Sequence, residues 1–144
     1  MVTWTTIAGS TFEIGTYAIA LFRGGRPERT VATALLLNFA AAPFLQDAHH
    51  LRSVQYGLLA GDICVLAVVL YCTFTSNRRW LLFGAARQVL AVLTHFAVMN
   101  DNGLDVWAYL TGAIIISDGL ILSLLLGTLL EAAPARRSRR NERT

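Results

Sequence analysis

Gly57-Leu58-Leu59-Ala60-Gly61-Asp62-Ile63-Cys64-Val65-Leu66-Ala67-Val68-Val69-Leu70-Tyr71-Cys72-Thr73-Phe74 is the stretch on which the fold turns, because Asp62 is the only charge in it. As an α-helix it would be about 27 Å long at 1.5 Å per residue, close to the ~30 Å of a bilayer's hydrocarbon core. Its apolar residues fall on every side of such a helix, leaving no polar face to turn toward water. Working outward, the same reading marks four further segments, at about 3–22, 30–46, 80–99 and 107–130, each bounded by charges, prolines or turn residues. The expected fold class is therefore all-α: an integral membrane helical bundle over residues 1–133 with five transmembrane helices, or four if 3–22 does not span. A disordered basic tail, 134–144, follows it.

The connections orient the bundle, because arginine collects on the cytoplasmic side of a membrane. The turn Arg23-Gly24-Gly25-Arg26-Pro27-Glu28-Arg29 holds three arginines, the connection at about 47–56 holds Arg52, the next holds Arg78 and Arg79, residues 100–105 hold none, and the tail holds five. That alternation predicts an N-terminus outside and a C-terminus in the cytoplasm. It would survive the loss of the first span, so the case for 3–22 is separate. Its apolar residues do not gather on one face, and no basic face marks it as a surface helix. Trp4, Trp80, Trp107 and Tyr109 fall at segment ends, as interfacial aromatic anchors do.

Composition agrees with lipid as the solvent: 55% of residues are hydrophobic and 15% charged, and the mean hydropathy is +0.53. All twelve basic residues are arginine, so lysine chemistry such as a Schiff base is excluded. The net charge of +3 is concentrated at Arg136, Arg137, Arg139, Arg140 and Arg143. Those five read as a topology signal that touches anionic lipid headgroups, and no nucleic-acid partner is expected. Cys64 and Cys72 are separated by ~12 Å of helical rise and cannot bridge, so both read as packing residues. The N-terminal segment has no basic flank and is expected to remain on the chain, not to be removed as a signal peptide.

Ionisable groups at membrane depth are costly and invite a functional explanation. Glu13, Arg87 and Asp118 fall near the middle of their segments, where they could meet. Asp62 and His95 each lie a short way in from the outer ends of neighbouring antiparallel helices, where they too could meet. Two readings are open: salt links, Arg87 with Asp118 and His95 with Asp62, that fix helix order, or a proton or cation path. Arg87 could also reach toward the cytoplasmic interface, and Glu13 has no obvious basic partner but Arg87. Gly57 and Gly61 form a Gly-x-x-x-Gly step that suits close helix packing, inside one chain or between copies. Gly112, Ser117, Gly119, Ser123 and Gly127 make the fifth segment small-sided and, with Asp118, central.

No metal, nucleophile or phosphate motif accompanies these groups, and the loops are too short for a catalytic domain, so neither an enzyme nor a cofactor is expected. The expectation is a small accessory or scaffold subunit of a bacterial inner membrane, multi-pass, packing with itself or with a larger membrane complex. The alternative is a small proton- or cation-coupled transporter using Glu13, Asp62 and Asp118. In this respect Glu13 resembles the first-helix glutamate of the small multidrug transporters, which binds protons and cationic drugs. The fifth helix and the strong charge bias depart from that family. Haem held by His95 with His49 or His50 is a third possibility. Asp101-Asn102-Gly103 reads as a tight turn, since the other ligands of a calcium loop are missing.

Overall fold

A computed structural model describes residues 4–45, 55–100 and 118–130, together with Gly112 and Ile115. The described residues form five helices and no strand: α1 (Trp4–Arg23), α2 (Arg26–Leu45), α3 (Tyr56–Thr75), α4 (Trp80–Asn100) and α5 (Asp118–Leu130). The all-α class therefore holds. The expected tail arginines Arg136, Arg137, Arg139, Arg140 and Arg143 lie outside the described residues, as do His49, His50, Arg52 and residues 101–105.

The largest difference from the sequence reading is at the start of α2. The expected helix began at about residue 30, but α2 begins at Arg26 and reduces the first turn to Gly24-Gly25. Pro27 falls in the first helical turn, where its missing N–H would have had no partner, and Glu28 sits beside it at the favourable end of the helix dipole. The Arg29 amide donates to the Gly25 carbonyl at 3.1 Å, which starts the helix, while the Gly24 amide closes α1 by donating to the Ala20 carbonyl at 2.9 Å. Pro43, near the other end of α2, removes one backbone donor from the helix.

Neighbouring helices run antiparallel, and α1, α2, α3 and α4 pack in sequence order. Leu45 meets Gly57 where α2 gives way to α3, and Trp80, Gly84 and Arg87 of α4 meet Gly127, Leu120 and Gly119 of α5 in reverse order. One core joins all five helices, with Ala20, Val31, Val69, Leu81 and Leu124 each 0% exposed. Because α1 ends, α2 begins and α4 begins together, Arg23, Arg26, Arg29, Arg78 and Arg79 share one end of the bundle, the arginine end.

Two helices, Tyr56–Thr75 and Trp80–Ala97, are long and apolar enough to cross a membrane. The first turn of α2 carries Arg26, Glu28 and Arg29, and α1 carries Glu13 with several threonines, which keeps both below that mark. Around the outside, Phe22, Phe44, Phe74 and Phe83 are 83%, 89%, 85% and 71% exposed, so the bundle wears an apolar coat.

Candidate functional site: a polar cavity inside the bundle

A cavity of about 220 Å³ lies among all five helices. Glu13 and Tyr17 reach it from α1, Leu35, Asn38, Phe39 and Ala42 from α2, Asp62 from α3, Gln88 and Ala91 from α4, and Leu120 and Ile121 from α5. It has room for several waters or a small hydrated ion, and it is polar enough to hold them. Most of its lining lies away from the arginine end.

Asp62 is its best-tied group. His95 Nε2 and Asp62 Oδ2 are 3.0 Å apart, bringing together two of the residues singled out from the sequence. Gln88 Nε2 donates to the other carboxylate oxygen at 3.3 Å and to the Asp62 backbone carbonyl at 3.0 Å, and Asn38 Nδ2 donates to Oδ1 at 3.4 Å. Side chains from α2 and α4 thus converge on one acceptor-only carboxylate of α3. Gly61 makes this possible, because Asn38 Oδ1 occupies the space that a Cβ at 61 would need. The Leu45 carbonyl lies 2.7 Å from where a Cβ at Gly57 would be. The Gly-x-x-x-Gly step is thus used between α2 and α3 of the same chain.

Glu13 is the opposite case. It is half-buried at the cavity wall, and among the described residues no protein group hydrogen-bonds it. Asp118 lies within electrostatic reach of Glu13. Arg87 does not link to Asp118: its Nη1 donates to the Ile115 carbonyl at 3.3 Å, and its guanidinium fills the space left by the missing Cβ of Gly119. The flat guanidinium reaches a helix carbonyl across a glycine one turn away. Among the described residues, one carboxylate is therefore pinned by side chains and the other is not. Among the described residues no cluster of three or more His, Cys, Asp or Glu could hold a metal ion.

Sequence reasoning passed over three groups. Asn38 and Gln88 carry no charge and gave no signal of their own, although they supply three of the four side-chain hydrogen bonds to Asp62. Glu28 was counted only as part of an arginine-rich turn, yet it is 0% exposed. Its Oε1 accepts from Trp80 Nε1 at 3.1 Å, and its Oε2 has no hydrogen-bond partner. Trp80 is correspondingly not an interfacial anchor: it is 8% exposed, packed against Gly127 with its indole N–H turned inward to Glu28. The early start of α2 explains both, because it carries Glu28 into the bundle. The signal for it was Pro27 followed by an acid, a helix-start pattern.

Comparison of the chain with protein families, with curated proteins and with solved structures finds no match, so the cavity's chemistry has to carry the functional argument alone.

Proposed function

We propose that the chain is a five-span membrane protein, N-terminus outside and arginine end in the cytoplasm, that exchanges a proton or small cation at Glu13 and carries it across the membrane. The membrane reading is supported by α3, where only 22% of the apolar window is buried in the bundle. Left in water, the rest would be an exposed patch far beyond what soluble monomers tolerate, whereas lipid is its natural neighbour. Helix hydroxyls behave accordingly: those of Thr30, Thr33, Thr73, Thr75, Thr94, Ser123 and Thr128 donate to carbonyls four residues back, needing no water. The arginine bias supports the proposed orientation, and a bacterial inner membrane is the setting proposed for it.

The observation that carries the transport reading is the pairing, in a single cavity, of a pinned carboxylate with one that no described residue hydrogen-bonds. Asp62, held by Asn38, Gln88 and His95, supplies a fixed acceptor; Glu13, which no described residue hydrogen-bonds, is the group that takes up and gives back the ion. A cavity with a carboxylate that no described residue hydrogen-bonds favours transport over an accessory or scaffold role. The Gly57 and Gly61 step, which suited packing inside one chain or between copies, is occupied by Leu45 and Asn38 of the same chain. The test is reconstitution into proteoliposomes with an imposed pH gradient. Wild type should dissipate the gradient, and Glu13→Gln should not, with unchanged yield and elution. Loss of assembly in Glu13→Gln, with no flux in wild type, would instead return the scaffold.

A further inference from the structure

The arginine end of the bundle is sealed, and resting on the transport reading above, this seal says which state is seen. We infer that the structure is closed at its cytoplasmic end, and that Trp80, latched by Glu28, is the gate that opens it. Between the cavity and the arginine end lies a layer formed by one fully buried side chain from each helix: Ala20, Val31, Val69, Leu81 and Leu124. Nothing of the size of a water passes side chains packed in this way. Beyond that layer Trp80 closes the end. Its ring fills the space left by the missing Cβ of Gly127 on α5, and its indole N–H reaches Glu28 at the start of α2. One side chain thus ties α4, α5 and α2 together.

The latch is made to release as well as to hold. Glu28 is folded beneath the α1–α2 turn because Gly24 and Gly25 make room for it. A Cβ on Gly24 would lie 2.6 Å from the Glu28 Cβ, and one on Gly25 would lie 2.9 Å from Oε2. The closed state satisfies Oε1 through Trp80 but leaves Oε2 buried without a hydrogen bond. Opening would let water reach Oε2 and return the bond that closure denies it, so the closed and open states are nearer in energy than a fully satisfied latch would allow. A purely structural clasp would gain by satisfying both oxygens.

The experiment uses the full chain with Cys64 and Cys72 replaced and a single cysteine, Ala91→Cys, at the cavity wall. A membrane-impermeant thiol reagent is applied to either face of oriented vesicles. In the otherwise native chain the cavity should label from the outer face and resist reagent from the arginine face. Removing the indole donor in Trp80→Phe, or the acceptor in Glu28→Leu, should raise labelling from the arginine face about tenfold, the effect of one hydrogen bond on an opening equilibrium. Glu28→Gln keeps an acceptor oxygen and should restore the closed pattern. Equal arginine-face rates in native chain and Trp80→Phe would overturn the gate, as would Glu28→Gln behaving like Glu28→Leu, or a cysteine at 91 that labels from neither face. Trp80→Phe preserves most of the ring, so the test survives if Glu28→Leu does not fold. Glu13→Gln in the same background should leave labelling unchanged, so a gate that fails here is distinguishable from a transport reading that fails by flux.

Discussion

Adding one methyl group at Gly127 should destabilise the bundle by more than most substitutions on a lipid-facing helix. A Cβ there would lie 2.6 Å from Trp80 Cδ2, whereas carbon atoms rest comfortably at about 3.5–4.0 Å, so the ring must retreat by roughly 1 Å. The ring is rigid and packed, and overfilling a core in this way costs ~1–3 kcal/mol. The retreat also stretches the 3.1 Å bond from Nε1 to Glu28 Oε1 out of range. Both oxygens of a fully buried carboxyl are then unpaired, for a further ~1–3 kcal/mol. Alanine's better helix propensity returns about 1 kcal/mol, leaving a net loss centred near 3 kcal/mol. The assay is reversible unfolding in mixed micelles followed by Trp80 fluorescence, with Trp4 and Trp107 replaced by phenylalanine. A loss below about 0.5 kcal/mol, within the range of ordinary surface changes, together with an unchanged emission maximum would refute the packing of Trp80 on α5.

Other consequences are simpler to read. Asp62→Asn turns an amide N–H₂ toward side chains that are themselves donors, so at least one hydrogen bond is lost; thermal unfolding in detergent should show a loss of ~1.5–3 kcal/mol, and unchanged stability would mean that Asn38, Gln88 and His95 do not hold this carboxylate. Gly57→Ala brings a methyl against the Leu45 carbonyl and should cost ~1–3 kcal/mol in the same assay, whereas Gly15→Ala, with nothing within 4 Å of its missing Cβ, should be neutral or stabilising by up to about 1 kcal/mol. Equal effects at the two positions would contradict the α2–α3 packing described.

The helices themselves were legible in the sequence because the apolar blocks are long and their boundaries are marked by arginine pairs, prolines and glycines. The meeting of Asp62 and His95 was legible for a related reason: similar depths on sequential antiparallel helices put them at one level. What escaped had physical causes that no local pattern records. Neutral amides such as Asn38 and Gln88 reveal a role only when a carboxylate is placed between them. Arg87 chose the Ile115 carbonyl because Gly119 left a path to it, a choice made by side-chain shape and not by charge. Glu28 fell within the arginine-bearing turn in the sequence reading; the helix start at Arg26 and two glycines give it space inside. Trp80, at a segment end, had the position of an interfacial anchor but the surroundings of a core residue.

The account depends above all on Glu13 being an exchangeable carboxyl inside a lipid-embedded cavity, and the most direct measurement is made at equilibrium. Purified chain in weakly buffered detergent is mixed with sodium, potassium or an alkylammonium salt while pH is recorded. Wild type should release protons as a cation displaces them, and Glu13→Gln, eluting as the same species, should release none. An identical pH change in both proteins, or none in either with every salt, would contradict it.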